Sequence, residues 1–492
     1  MYETGKSYTS IQAMNPPNND VGAIPTPAEA GEQREVPEWN LTRDPKLRAQ
    51  LRVGLREKLG RIRQKAATDK QLRFTTLWHH VYDLDRLAET FFALRKDGAV
   101  GVDAVDWSSY AENLADNLRD LSARLKRGAY HAKPVRRVYI PKSDGTRRPL
   151  GIPTLEDKLV QRVTSDVLTA IYETDFHECS YGFRPGRGPH DALDVLAVTL
   201  EGQKVNWVLD LDIRAFFDTI DHECLIRFVE HRIADSRVIR HIKKWLSAGV
   251  LANGNVQRSE YGTPQGGSIS PLLANVYLHY ALDKWGNRWI ATQATGLVKM
   301  IRFADDVVVC FQYRQDAERF QQELQTRLAR FHLELHPEKT RLIEFGRFAA
   351  ANRRKRGAGD APETYNFLGF THSCSTTRKG RFCVRRTSQR TKVQAKLQQI
   401  YAELRRRISE SVPTVGAWLK QVLTGHYQYY GVPRNTPALK SFRDEVTKHW
   451  KRVLSRRSQK GYVTWERMNR LINRWLPKAK VMHPYPSQRL TV

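Results

Sequence analysis

The chain reads as an α+β protein that ends in helices, and three patterns in its sequence predict this. The run from Val205 to Ile213 alternates as a strand does, with Val205, Trp207, Leu209 and Leu211 on one face. A second apolar run, Met300-Ile301-Arg302-Phe303-Ala304-Asp305-Asp306-Val307-Val308-Val309-Cys310-Phe311, is interrupted by two adjacent acids, as at a strand–turn–strand junction. After it, Phe320, Leu324, Leu328 and Phe331 recur at helical spacing, and beyond Gln389 the pattern is almost wholly helical. A chain of 492 residues exceeds one compact core, so about three modules are expected.

Residues 1 to about 40 are rich in Pro, Asn, Gly and Glu, as in Met14-Asn15-Pro16-Pro17-Asn18-Asn19, and are expected to lack fixed structure. A basic helix is predicted over Leu47 to Lys65, an apolar one around Leu77 to Leu94, and another from about Tyr110 to Lys126, stopped by Gly128. A two-stranded ribbon follows, in which Val135-Arg136-Arg137-Val138-Tyr139-Ile140 and Arg148-Pro149-Leu150-Gly151-Ile152 flank Asp144-Gly145, a pair that favours a hairpin tip. Alternation of strands and helices through the middle argues for an α+β module. Near Pro413, Pro433 and Pro477 the terminal helices are expected to break. The amino terminus is polar and shows no signal peptide, and no apolar run approaches a membrane span.

Charge points to a polyanion. The formal net charge is +29, and Thr364 to Val492 hold 27 Lys and Arg against 5 Asp and Glu. Interleaved there are Trp418, Tyr427, Tyr429, Tyr430, Trp450, Tyr462, Trp465, Trp475 and Tyr485. Guanidinium groups take phosphates while rings stack on splayed bases, a combination that suits RNA. Each ring taken singly is read as core; the segment as a whole is read as binding nucleic acid. The cysteines Cys179, Cys224, Cys310, Cys374 and Cys383 form no CxxC pair, which fits a reducing compartment. His372, Cys374 and Cys383 lack ligand spacing and a fourth partner, so no zinc site is expected there.

The chemistry sits with the acids. Adjacent carboxylates between apolar strands repel each other and lose solvation, a cost that a divalent cation relieves. Mg²⁺ prefers carboxylate oxygens together with substrate phosphates. The pair becomes informative if a second acidic strand end completes a cradle, and Val208-Leu209-Asp210-Leu211-Asp212-Ile213 supplies one. Asp210 and Asp212 lie two apart and share a face, so spacing does not choose between them. Two Mg²⁺ ions bridged by acids of both strands would activate a 3′ hydroxyl and stabilise a departing pyrophosphate.

These residues belong to an ordered series of motifs: Ile140-Pro141-Lys142-Ser143-Asp144-Gly145, Arg148 to Pro153, Ser180-Tyr181-Gly182-Phe183-Arg184-Pro185-Gly186-Arg187, Asp212 to Asp218, Gly262-Thr263-Pro264-Gln265-Gly266-Gly267-Ser268-Ile269-Ser270-Pro271, Phe303-Ala304-Asp305-Asp306 and Phe367-Leu368-Gly369-Phe370. From about Leu77 onward the chain resembles the reverse transcriptase/maturase proteins encoded by group II introns, and Leu454 to Gly461 resembles their maturase (X) region. The resemblance implies a right-hand polymerase fold of fingers, palm and thumb, followed by a helical thumb/X domain. It divides the chain into a disordered extension at 1–45, an amino-terminal helical RNA-binding region with the start of the fingers at 46–130, fingers and palm at 131–385, and thumb/X at 386–492.

By the same resemblance, Asp212, Asp305 and Asp306 are the catalytic, metal-binding acids, with Mg²⁺ as cofactor. Asp212 takes that position because Phe217, five residues on, then matches the aromatic steric gate against a 2′ hydroxyl; Asp210 is left as a supporting acid. The nucleotide site is Lys142, Arg148, Ile213, Phe217, Gln265 and Gly266, with the cations of the β ribbon holding the triphosphate. Primer and template fall to Arg184, Phe303, Phe367, Leu368 and Gly369, and intron RNA to Arg456, Arg457 and Lys460. Lys339 is read either as a proton donor to pyrophosphate or as the partner of a nearby acid. Phe303 stands where the family usually has Tyr, a loss of one hydroxyl that spares the metal ligands. Many relatives continue past the equivalent of His483-Pro484-Tyr485-Pro486 into a DNA-binding segment and an endonuclease module; this chain stops at Val492, so the expectation is that it does not cut the second DNA strand.

The leading expectation is an RNA-directed DNA polymerase that binds its intron RNA, assists splicing and uses a DNA primer or target with deoxynucleoside triphosphates. It would act as a cytoplasmic, nucleoid-associated bacterial ribonucleoprotein, with no membrane partner and with monomer or dimer left open. Two alternatives stand beside it. One is a splicing factor that keeps the polymerase shell without activity; the other is a host-adopted polymerase in DNA repair or defence.

Overall fold

The computed structural model describes residues 45–141, 147–252, 255–257, 261–263, 266–357, 359, 361–457 and 461–490. The extension expected at 1–45 and the Asp144-Gly145 tip therefore fall outside the described residues, Pro45 excepted. In chain order the strands are β1 (Val135–Pro141), β2 (Arg147–Ile152), β3 (Trp207–Asp212), β4 (Val250–Ala252), β5 (Asn255–Gln257), β6 (Val298–Phe303), β7 (Asp306–Phe311), β8 (Arg341–Glu344), β9 (Tyr365–Phe367), β10 (Phe370–Thr376) and β11 (Phe382–Ser388). Mixed helix and sheet bear out the α+β class.

Two compact units emerge, and they do not follow one cut in the chain. The first takes the residues up to Asp175 together with Ile226–Ser270; the second takes Phe176–Leu225 and the residues from Pro271 on. In the first unit the predicted ribbon is present as the antiparallel pair β1–β2, with β4 added parallel to β1 and β5 at the far edge. The basic helix runs over Pro45–Thr68 and packs on helix Leu155–Tyr172.

The single helix expected over 77–94 is instead a short turn, Trp78–His80, and helix Leu84–Ala93. Asp83 divides them: its extended backbone lets the carboxylate accept from Asp85 N and Arg86 N, so it caps the second helix rather than continuing the first. Likewise the helix expected over 110–126 breaks at Asn113 into Trp107–Glu112 and Leu114–Arg127. Gly128 then closes it in the left-handed conformation, φ +80°, which a glycine adopts without strain.

The second unit is built on the antiparallel sheet β6-β7-β3-β8. Strand β7 is buried from Val307 to Phe311, and helix Arg314–Ala329 lays Phe320 edge-on against Phe311 with ring centroids 5.5 Å apart. A second, three-stranded sheet, β11-β10-β9, follows. Helices Arg390–Arg406, Val412–Tyr430, Thr436–Leu454 and Trp465–Trp475 then close around Leu404, Leu419, Leu423, Phe442, Val446, Trp450 and Met468. Their breaks come where proline predicts: Ser411 caps with Pro413 in the first turn, and Pro433 and Pro477 lie between helices. No described helix is long and apolar enough to cross a membrane.

A tail straps this unit together. Met482 N and His483 N both donate to Gly431 O, at 2.7 and 3.0 Å. The His483 ring stacks on His190 with centroids 3.7 Å apart. Arg489 reaches Asp191 at 2.7 Å and Asp194 at 2.9 Å on helix Pro189–Gly202, and Asp194 also accepts from Arg386 of β11 at 2.8 Å.

Candidate active site

Register brings the acids of two strands together. In the antiparallel pair β3–β7, Asp212 lies directly opposite Asp306, so both side chains leave the same face at the end of the sheet. Asp210 lies one step deeper, opposite Val308 on one side and Arg341 of β8 on the other. Alternation could not separate Asp210 from Asp212; pairing does.

Across the hairpin, Phe303 of β6 faces Asp306, and Ala304 turns the corner at φ +56°. Asp305, the next residue, is buried.

Burial shapes the electrostatics. It pushes the Asp305 carboxyl well above the usual carboxylate range, with Asp306 adding to the effect. Burial also lifts Asp306 to about 6, with Lys392 opposing and Asp212 adding. Asp210 rises to about 7, first through burial and then through Asp306.

Asp212 has a counter-ion, since Lys339 Nζ sits 3.5 Å from its Oδ2. Its backbone is held by the following loop: His336 N donates to Asp212 O at 2.8 Å, and Asp212 N donates to Thr340 Oγ1 at 3.4 Å. Among the described residues no three His, Cys, Asp or Glu side chains are gathered closely enough to hold a metal ion. The donor set at this sheet end is nonetheless all carboxylate oxygen, strained by burial and repulsion, and suits a hard divalent cation.

The turn rests on a buried ionic network that sequence reading missed. Arg302 and Asp283 are fully buried and paired, with Nη2 2.5 Å from Oδ2 and Nε 2.7 Å from Oδ1. The same guanidinium donates to Asn275 Oδ1 and Ala304 O at 2.9 Å each, and to Ser180 Oγ at 2.7 Å. Asn275 Nδ2 in turn donates to Gly182 O at 2.7 Å. A Cβ on Gly182 would lie 3.0 Å from Phe303 C and 3.1 Å from Ala304 Cα, and closer still to Ala304 N. One signal was available: an arginine inside an apolar strand must find a partner.

The other expected residues fall as follows. Phe217 is buried in helix Phe216–Thr219 against Phe216, with ring centroids 5.3 Å apart and Ala215 before it at φ +46°. Ile213 is buried and bridges to Leu335. Arg184 is buried and donates to His177 O at 2.7 Å and Ser180 O at 2.8 Å.

Phe367 and Leu368 are buried, Leu368 at φ +47° and Gly369 at φ +81°, and Tyr429 OH donates to Leu368 O at 2.8 Å. Gly266 is exposed at φ +119°. Arg148 pairs with Ile140 in the β1–β2 ladder. Arg456 is exposed and Arg457 partly so. Lys142, Gln265 and Lys460, and the side chain of Arg148, lie outside the described residues.

Comparison with known proteins places this geometry. Residues 140–372 match the family "Reverse transcriptase (RNA-dependent DNA polymerase)". Protein YkfC of Escherichia coli (strain K12) is 40% identical over 220 residues, which make up 44% of this chain and 58% of that protein. The group II intron-encoded protein LtrA of Lactococcus lactis subsp. cremoris is 43% identical over 171 residues, 35% of this chain and 28% of LtrA. Nuclear intron maturase 4, mitochondrial, of Arabidopsis thaliana is 25% identical over 199 residues, 40% of this chain and 22% of that protein. In each case the match spans less than two thirds of the relative's own length. Over residues 140–372 the chain thus matches a reverse transcriptase domain, and it is similar to a group II intron-encoded protein and to an intron maturase.

Proposed function

We propose that the protein is an RNA-directed DNA polymerase that also binds a group II intron RNA and assists its splicing and retrohoming. The observation that carries this reading is the register pair Asp212–Asp306 at the end of the β6-β7-β3-β8 sheet, inside the stretch matched by the reverse transcriptase family. Asp212, Asp305 and Asp306 would hold Mg²⁺, which when bound lowers the pKa of the primer's 3′ hydroxyl and neutralises charge on the leaving pyrophosphate.

The protein's own groups do the positioning. In this reading the β6–β7 turn sets Asp305 and Asp306, Lys339 balances Asp212, and the Phe217 ring excludes a 2′ hydroxyl from the sugar site. By the resemblance, Lys142 and Arg148 would hold the triphosphate of a deoxynucleotide, Ile213, Gln265 and Gly266 would serve nucleotide binding, and the Leu368–Gly369 turn would grip the primer. The β1–β2 ribbon serves as fingers, the β3-containing sheet as palm and the helices after Gln389 as thumb/X, gripping RNA through Arg456, Arg457 and Lys460. The setting would be a ribonucleoprotein in the cytoplasm of a bacterium, close to the nucleoid.

Purified protein should extend a DNA primer on an RNA template with deoxynucleotides and Mg²⁺. Asp305→Ala should abolish extension while RNA affinity stays close to wild type. Full extension by that variant removes the catalytic assignment.

A further inference from the structure

Two large aromatic side chains stand out of the helical segment with a cation between them. Tyr462 is 72% exposed and Trp465 is 52% exposed, although Val463, between them, and Met468, three residues past Trp465, are buried. Lys451 Nζ lies 4.6 Å from the Tyr462 ring centroid and 5.1 Å from that of Trp465.

The backbone fixes this arrangement. Helix Thr436–Leu454 ends, Val463 N donates to Ser455 Oγ at 3.2 Å, and Thr464 caps helix Trp465–Trp475 through Arg467 N. Helix Trp465–Trp475 contributes Met468 and Ile472 to the core, so core packing does not call for Trp465 to be an indole.

Leaving two such rings in water forfeits burial that each would gain elsewhere, and the surroundings say what covers them. From Lys451 to Arg470 the chain has seven Lys and Arg against one Glu, and that Glu466 is taken by Arg470 at 2.5 Å. An apolar protein face does not call for so dense a positive field around isolated rings. A polyanion that also carries flat apolar faces does. In a duplex those faces are stacked on one another and closed to side chains; in an unpaired strand they are free.

We propose that Tyr462, Trp465 and Lys451 form a stacking platform for unpaired bases of RNA, so that this surface grips single-stranded rather than duplex segments. The inference rests on the RNA-binding reading above and adds to it the state of the strand and the means of recognition.

The test separates stacking from phosphate contact by their salt dependence. Phosphate contacts release counterions and set the slope of log affinity against log salt, whereas a ring on a base shifts affinity without changing that slope. Full-length protein is titrated with an eight-nucleotide oligo(U), a matched oligo(dT) and a blunt RNA duplex at several salt concentrations. Tyr462→Ala and Trp465→Ala should each weaken oligo(U) binding roughly ten-fold with an unchanged slope and unchanged duplex affinity. Tyr462→Phe, which keeps the ring, should bind as wild type, and Trp465→Leu, which keeps bulk without a π face, should bind as Trp465→Ala. The paired change Arg456→Ala with Arg457→Ala should instead flatten the slope.

If wild type binds oligo(U) and the ring variants match it, the platform is overturned while RNA binding stands. Equal losses on duplex overturn the single-strand claim, and a loss on oligo(U) with none on oligo(dT) overturns stacking as the means, because a ring meets a base face in either strand. If wild type binds none of these probes, the RNA-binding reading falls and the platform with it.

Discussion

Replacing Gly182 with alanine tests whether the acidic turn works from a fixed position. The new Cβ would stand 3.0 Å from Phe303 C and 3.1 Å from Ala304 Cα, with Ala304 N nearer still, where ordinary contact begins at 3.4 Å. All three atoms are backbone, so no side chain can swing away to make room. The turn cannot yield by itself either, because Ala304 O is held by Arg302 Nη1 at 2.9 Å and Gly182 O by Asn275 Nδ2 at 2.7 Å. Relief must come from moving the segment that carries Asp305 and Asp306 away from 180–182. Overpacking of this kind costs about 1–3 kcal/mol of stability, and a displacement near 1 Å at reacting groups costs on the order of 100-fold in rate. The assay is steady-state extension of an oligo(dT) primer on poly(rA), with thermal unfolding and RNA affinity measured on the same preparation. We expect kcat to fall on the order of 100-fold, the thermal midpoint to fall by a few degrees, and RNA affinity to hold. A folded Gly182→Ala enzyme within two-fold of wild-type kcat refutes the account of a pinned turn.

Three further outcomes follow from the same geometry. Lifting the Asp306 carboxyl from 3.8 to about 6 costs the folded state about 3 kcal/mol at neutral pH. The folded protein holds that proton more tightly than the unfolded chain, so the cost is absent below pH 4, grows between pH 4 and 6, and is complete above about 6. Asp306→Asn should therefore raise the thermal midpoint in a chelating buffer at pH 7.5, with the gain fading toward pH 4, while extension is lost; an unchanged midpoint at pH 7.5 counts against a burial cost at this carboxylate. Arg302→Met leaves Asp283 buried and uncompensated and should cost about 3–5 kcal/mol in denaturant unfolding, part of which Arg302→Met with Asp283→Leu should recover; simple additivity of the two changes contradicts the pairing. Phe217→Ala should admit ribonucleotides more readily in a dNTP/NTP competition assay, and unaltered discrimination would leave Phe217 as core.

Much of the site was legible because its signals are local. The hairpin around Asp305-Asp306, the strand ending at Asp212 and the helix breaks after Gln389 all follow from short-range alternation, turn residues and proline. What stayed hidden depends on partners far along the chain. Asp210 and Asp212 share a face, and only the pairing of β3 with β7 sets Asp212 beside Asp306. Arg302 sits inside an apolar strand, and its partners Asp283, Asn275 and Ser180 lie 19, 27 and 122 residues away in the chain. Asp83 read as part of a helix because composition there is apolar, yet its carboxylate caps the next helix. The two compact units interleave in sequence, and no local pattern announces that Ile226–Ser270 packs with the residues before Phe176.

The strap at 482–489 gives the helices after Gln389 a mechanical tether. A swing of those helices away from the sheet bearing Asp212 must carry Gly431 with it, and Gly431 drags His483 off His190 and pulls on Arg489 where it grips Asp191 and Asp194. If those helices hold a nucleic-acid strand as proposed, opening of that grip is resisted by a spring anchored on helix Pro189–Gly202, and slackening that spring at Arg489 would trade residence on the strand for faster release.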